Sequence, residues 1–256
     1  MSGSALADWP YPRWIAHRGA GKLAPENTLA AFRCGAARGY RMFECDVKLS
    51  ADGVPFLMHD ATLERTTGGQ GTGGDLTWAA LSKLDAGSWH SRAFAGEPLP
   101  SFENIARFCV RNGYFLNIEI KPTPDTASAP GIERRTGEVV AREADRLWAD
   151  PAVPPLLSSF RPESLAGARD AAPRLPRALL LDTLHNGWLD EARQLGCVAV
   201  VCNHALWDAG TVAQVHGAGM RALSYTVNDE WAAERLIALG TDGVITDRID
   251  LFSPVG

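Results

Sequence analysis

The sequence predicts an α/β fold, a TIM (β/α)8 barrel with a small insertion between its second strand and the helix that follows. Three observations carry this. Strand-like apolar runs alternate with helix-like segments from end to end, and βαβ alternation implies a parallel sheet. Eight such units occupy the 256 residues, the usual size of a (β/α)8 barrel. No glycine fingerprint for a dinucleotide follows the first strand, which disfavours the runner-up, an open doubly wound sheet. No short repeat beyond the βα unit and no long linker divides the chain, so residues 1–256 are expected to form one domain.

Residues 15–16 form the first strand and residues 27–39 a helix, with Pro25 and Thr28 suited to its start and Gly39 to its end. Residues 42–49 and 54–59 read as strands around Ser50-Ala51-Asp52-Gly53, and Asp-Gly between β-rich runs signals a hairpin. The hairpin counts as one unit. Residues 61–100 break the rhythm. They are rich in Gly, Thr, Trp and polar residues and end in Glu97-Pro98-Leu99-Pro100, as an insertion capping the barrel mouth would. Alternation then resumes: helix 102–112, strand 114–120, helix 134–148, strand 156–160, helix 163–170 and strand 178–181. Helix 188–195, strand 198–202, helix 209–216, strand 221–227, helix 230–239 and strand 243–246 complete the series.

Composition narrows the function. Hydrophobic residues make up 46% and charged residues 21%, ordinary for a globular protein. At this length about 75% of the unfolded surface is buried. A net charge of −5 gives no electrostatic reason to expect nucleic acid. No Lys/Arg run suggests a membrane surface, and no apolar run approaches the ~20 residues of a membrane span. Residues 1–8 lack the basic start and apolar stretch of a secretory signal, so a cytoplasmic location is expected. The five cysteines are odd in number and lack C-x-x-C. Free thiols, buried for those in apolar runs such as Cys109, Cys197 and Cys202, are expected.

Four short pieces carry chemistry: His17-Arg18-Gly19, Glu44-Cys45-Asp46, His59-Asp60 and Glu119-Ile120-Lys121. Each falls at or just past the end of a strand, where barrels place catalytic groups. Side chains alternate along a strand, so Glu44 and Asp46 share one face, as do Glu119 and Lys121, while Cys45 and Ile120 point into apolar packing. Taken singly, each piece has an ordinary explanation: a solvated strand end, a local ion pair, a structural histidine, a turn. Those explanations weaken together because all four pieces occupy one edge. Three converging carboxylates are costly without a cation, and hard oxygen ligands favour Mg²⁺ or Ca²⁺ over zinc. Two imidazoles can act as base and acid, and an arginine and a lysine can hold phosphate. The inventory fits phosphodiester hydrolysis.

The same pieces, with Pro25-Glu26-Asn27-Thr28 between the first two, resemble the glycerophosphodiester phosphodiesterases of the cytosolic bacterial type. The likeness continues through Leu63-Glu64-Arg65-Thr66-Thr67, Ser159-Phe160, Tyr225-Thr226-Val227-Asn228 and the stretch from Asp242 to Asp247. It implies His17 and His59 as the catalytic histidines, and Glu44, Asp46 and Glu119 as ligands of one divalent metal. It implies Arg18 and Lys121 as phosphate-binding groups, and a place in lipid and glycerol metabolism. Glu26 either supports His17 or Arg18 or is a helix-start carboxylate. Tyr225 stands where the family usually has tryptophan, which alters the expected pocket shape and not the reaction. Phe160 and Trp207, also at strand ends, are candidates to line the pocket. Core packing is the competing reading, and it is preferred slightly for Phe160.

Other features read as ordinary. Gly69-Gln70-Gly71-Thr72-Gly73-Gly74 matches a dinucleotide pattern by letter but neither follows a clean strand nor opens an apolar helix. No G-x-S-x-G elbow occurs. Cys202-Asn203-His204 is a strand end without metal partners, and His90, His185 and His216 are surface or loop histidines. The expected reaction is metal-dependent hydrolysis of a small-molecule glycerophosphodiester to glycerol 3-phosphate and an alcohol. Choline, ethanolamine and glycerol are candidate alcohols. No nucleic acid or membrane anchor is expected, and the sequence does not set oligomeric state, metal identity or which histidine is acid. A path through a cyclic phosphate is slightly preferred to direct attack by water. The rivals are a lysophospholipase D-like enzyme, a barrel glycoside hydrolase, which would leave the histidines and cations without tasks, and a non-catalytic binding protein.

Overall fold

The structure is a computed structural model that describes residues 9–122, 131–149 and 153–254; residues 1–8, which lack the features of a secretory signal, lie outside them. Eight parallel strands close a barrel: β1 (Trp14–Ala16), β2 (Met42–Leu49), β4 (Phe115–Ile120), β5 (Leu156–Ser159), β6 (Arg177–Leu181), β7 (Ala199–Asn203), β8 (Arg221–Tyr225) and β9 (Gly243–Thr246). β1 pairs with both β2 and β9, which shuts the ring. The remaining strand, β3 (Pro55–Leu57), pairs antiparallel with the far end of β2. The barrel is the predicted TIM fold, and β2–β3 is the predicted hairpin, turning at Gly53 with φ 80.

Helices α1 (Leu29–Ala37), α3 (Phe102–Asn112), α4 (Ile132–Leu147), α5 (Pro162–Ala171), α6 (Trp188–Gln194), α7 (Ala209–Gly217) and α8 (Glu230–Leu239) surround the strands. Side chains of Thr28, Ser101, Asp208 and Asp229 accept the otherwise unpaired amides at the starts of α1, α3, α7 and α8. Buried Phe102, Ile105, Ala106 and Cys109 recur at helical spacing along α3. α1 starts two residues later than the sequence suggests. Asn27 is left-handed, φ 59, and its amide is committed to Asp46 instead of the helix. The strands predicted to reach 160 and 227 stop at Ser159 and Tyr225, where parallel pairing ends.

Two apolar layers lie between sheet and helices. A third cluster, with Ile15, Met42, Leu156, Leu180, Val201, Leu223 and Ile245, fills the barrel interior. Register fixes what stands above it. Glu44 lies beside Asn117, and Asp46 beside Glu119, which lies beside Ser158. The interior therefore changes from apolar to acidic toward the strands' C-terminal ends. Because β1 pairs with β2 only at Met42 and Phe43, Glu44 and Asp46 sit at the barrel rim although they are mid-strand.

Residues 61–100 contain one short helix, α2 (Trp78–Leu81), and two 3-10 turns. Leu63, Leu81, Ala86 and Leu99 pack with Phe56 and Met58 in a separate apolar cluster. The segment is tied to the barrel by Ala30 N–H donating to Glu97 Oε1 at 2.9 Å and by His90 Nε2 donating to the Lys22 carbonyl at 3.1 Å. No described helix is long and apolar enough to cross a membrane.

Candidate active site

The acidic layer is the core of the site. Glu44, Asp46 and Glu119 each present one oxygen, all within 4.8 Å of one another. Glu44 and Asp46 are 3% and 1% exposed, so their repulsion is poorly screened. Burial and the Asp46 charge push the Glu44 carboxyl up to about 8. Glu119 also rises, through burial and Asp46, although Lys121 pulls against this. Burial opposes ionisation of Asp46 too, but Lys121 and Arg18 overcome it and hold this carboxyl well below the usual range. Nearby, Asn117 Oδ1 and Ser158 Oγ are buried without a hydrogen-bond partner. A cluster of oxygen donors carrying more negative charge than its neighbours neutralise fits a hard divalent cation.

Two cations flank it. Lys121 Nζ lies 2.9 Å from Glu119 Oε1 and 3.3 Å from Asp46 Oδ1. Arg18 sits left-handed at φ 50, which places its backbone N–H 2.9 Å from Glu44 Oε2 and its Nε 3.4 Å from Asp46 Oδ2. A non-glycine residue held there carries backbone strain of order 1–3 kcal/mol. Close packing supports the turn: at Gly21 a Cβ would stand 2.1 Å from the Asp247 carbonyl oxygen.

Each histidine is oriented by a carboxylate. His17 Nδ1 donates to Asp247 Oδ1 at 2.6 Å, leaving Nε2 directed at the acidic layer, 3.8 Å from Glu44 Oε2. Asp247 is itself held by a reciprocal pair of bonds with the Asn228 side chain. Burial tends to lower the His17 pKa, but the Asp247 hydrogen bond and the Glu44 charge outweigh it and the net shift is upward. His59 Nδ1 donates to Asp60 Oδ1 at 2.7 Å. Its pKa is lowered, first by burial and then by Arg18 and Lys121. Arg65 joins Asp60 to Glu26, and Glu26 accepts from Arg18 Nη1 at 2.8 Å. One chain of ion pairs thus runs from His59 to Arg18.

All seven residues singled out as catalytic, metal or phosphate groups meet at this rim. His17, Arg18, Glu44, His59, Glu119 and Lys121 line a cavity of about 200 Å³, beneath which Asp46 is buried. A larger cavity of about 750 Å³ adjoins it, and both share His59, Glu119, Lys121, Phe160 and Leu180. Tyr225 lines the smaller one and donates its hydroxyl to the Leu181 carbonyl at 3.0 Å. Phe160, preferred as core, is 37% exposed and stands edge-on to Tyr225 in the cavity wall. Trp207 lines neither of these cavities. Its indole is 1% exposed, donates to the Leu223 carbonyl and packs with Val212, Val215 and Leu236 outside the barrel. It follows β7 by a 3-10 turn, His204–Leu206, and its side chain turns outward, the competing core reading. Glu26 supports Arg18, one of its two readings. Of the 61–100 segment, Ala61 borders the larger cavity.

Sequence reasoning named no role for Asp247, Asn228, Asn27, Arg65 or Lys48. The first four lie in stretches that carry the resemblance, so the signal was present. Their tasks were hidden because each acts on a residue far along the chain: Asn27, for instance, donates to Asp46 Oδ2 at 2.8 Å and accepts from its N–H.

A family model described as the Glycerophosphoryl diester phosphodiesterase family matches residues 17–251. A glycerophosphodiester phosphodiesterase of Caldanaerobacter subterraneus is 32% identical over 243 residues, covering 91% of this chain and 93% of the relative. One of Bacillus subtilis is 32% identical over 257 aligned positions, 94% of this chain and 85% of the relative. Among solved structures, an Oleispira antarctica phosphodiesterase in complex with the product sn-glycerol-3-phosphate superposes with a TM-score of 0.86 at 31% identity, over 95% of this chain and 96% of that one.

Proposed function

This chain belongs to the glycerophosphoryl diester phosphodiesterase family, and from that premise we propose that it hydrolyses glycerophosphodiesters to glycerol 3-phosphate and an alcohol by two-histidine acid–base chemistry beside a divalent metal. The observation that carries this reading is the meeting of three carboxylates, two carboxylate-oriented imidazoles and two cations around one cavity. Glu44, Asp46 and Glu119 would hold Mg²⁺ or Ca²⁺, which when bound adds positive charge at the phosphate and eases deprotonation of the attacking hydroxyl. Arg18 and Lys121 bind the non-bridging phosphate oxygens, where charge builds in the transition state. His17, fixed by Asp247 and facing the smaller cavity, takes the proton of the nucleophile. His59 borders both cavities, at the junction where the ester bond breaks, and donates a proton to the departing alkoxide. Phe160 and Tyr225 wall the pocket. The chain works in this reading as one catalytic domain, with residues 61–100 flanking the mouth and stabilising it through Arg65.

The nucleophile of the first stage is the substrate's own neighbouring hydroxyl in this scheme, since a tethered group gains effective molarity of up to ~10⁵–10⁸ M. It expels the alcohol and leaves a cyclic phosphate, which a water deprotonated by His59 then opens to glycerol 3-phosphate while His17 returns its proton to the ring oxygen that leaves. The test is a turnover panel of glycerophosphodiesters in Mg²⁺, in Ca²⁺ and in excess chelator, with a diester lacking that hydroxyl. Turnover that vanishes with chelator and returns with either ion supports the metal. Full activity in chelator removes it. Equal rates with and without the hydroxyl exclude the cyclic path.

A further inference from the structure

The larger cavity holds a cation for which the reaction above has no task. Lys48 follows Glu44 and Asp46 on the inward face of β2. It is 1% exposed, and it lines this cavity beside His59 and Lys121. Among the described residues its ammonium makes no hydrogen bond and no ion pair within 4.0 Å. The neighbouring acids are already engaged: Asp46 and Glu119 with Lys121, and Asp60 with Arg65 and His59. The other basic side chains of the cavity wall have acidic partners as well, Arg161 with Glu133 at 3.4 Å and His185 with Glu191 at 3.3 Å. A lysine kept only to balance the acidic layer would be expected to touch one of its carboxylates, as Lys121 does. Burying an ammonium without a partner is costly. An anion entering the cavity would remove that cost.

Resting on the site reading above, we propose that the larger cavity receives the departing alcohol and that Lys48 selects alcohols bearing their own anionic group. The geometry places the groups in order. Arg18 and Lys121 would hold the phosphate, His59 lines both cavities, and Lys48 lines the larger one, of about 750 Å³. A carboxylate carried by the alcohol meets the free ammonium there. A neutral or purely cationic alcohol leaves that ammonium unpaired.

Glycerophosphoserine and glycerophosphoethanolamine test this, because their alcohols differ by one carboxylate. The parent enzyme should prefer the serine diester by about tenfold in kcat/KM, the discrimination expected of one charge-assisted contact. The difference should lie mainly in KM. Lys48→Met should bring the ratio to within about threefold, and Lys48→Arg should keep most of it. A parent enzyme with no preference, or one favouring the ethanolamine diester, overturns the proposal whether or not the variants fold. So does a Lys48→Met enzyme in which both substrates fall equally, since that is a structural or phosphate role. Equilibrium binding of the two diesters in chelator reads the same preference without turnover. Tighter binding of the serine diester with no hydrolysis of either would overturn the assigned reaction and keep the subsite. Equal binding would overturn the subsite.

Discussion

At the scale of single residues, the site is a set of side chains each held by another. His17 is fixed by Asp247 and Asp247 by Asn228; His59 is fixed by Asp60 and Asp60 by Arg65. In the proposed mechanism either imidazole carries a proton, so His17→Ala and His59→Ala should each lose ~10²–10⁴ in kcat with a modest change in KM. A loss of only a few-fold in steady-state assays would take that histidine out of the mechanism. Asp247→Asn separates orientation from charge. The Asp247 hydrogen bond is one of the groups that raise the His17 pKa against burial. Without the carboxylate that pKa falls, so the limb of the pH–kcat/KM profile belonging to His17 should move to lower pH, with reduced kcat. A profile superimposable on the parent's would show that Asp247 does not position His17. The residue types of the candidate site were legible in sequence because motifs preserve type and spacing. Their positioning partners were not, since Asp247 lies 230 residues from His17.

At the scale of elements, local rules were sufficient where an element is bounded by its own residues. Helix 102–112 and helix 230–239 were read to the residue because Ser101 and Asp229 cap their starts and Gly113 and Gly240 end them left-handed. Elements bounded by partners were misread: α1 loses its first residues to the Asn27–Asp46 contact, and strands end where their neighbours end. Helix pairing shows the same dependence. α4 and α5 approach so closely that a Cβ on Gly137 would stand 1.9 Å from the Ser164 carbonyl oxygen, and one on Gly167 would stand 2.2 Å from that of Arg134. Alanine is the better helix former, yet Gly137→Ala should destabilise the protein by about 1–3 kcal/mol through forced separation of the helices. Urea unfolding measures this. A variant as stable as the parent would mean that the helices part without cost.

At the scale of the whole molecule, the barrel gathers charge that the unfolded chain keeps apart. Glu44, Asp46 and Glu119 repel once buried together, so a bound divalent ion favours the folded state. Mg²⁺ or Ca²⁺ at 100 times its Kd should add about 2.7 kcal/mol of stability, visible as a rise in Tm that chelator reverses. Glu119→Ala should stay folded, lose that rise and lose activity. Retention of the full rise would place the ion elsewhere. The choice between pocket and core for Trp207 belongs to this scale as well. It lies in the loop between β7 and α7, on the side of the barrel where pocket residues lie, and the packing of α7 and α8 directs the indole outward.

By itself the sequence determined the alternation of elements, the eight-unit count, the hairpin, and the residue types of the candidate site at the rim with the strands that carry them. These depend on spacing along the chain, where periodicity and motif order act directly. Tertiary structure alone decided which oxygens converge, which carboxylate orients each histidine, which aromatic faces the cavity, and that Lys48 has no hydrogen-bond or ion-pair partner among the described residues. Those outcomes depend on barrel closure. The register between β1, β2 and β4 sets which inward side chains share a layer, and pairing between distant strands is not written in the local pattern of any one of them.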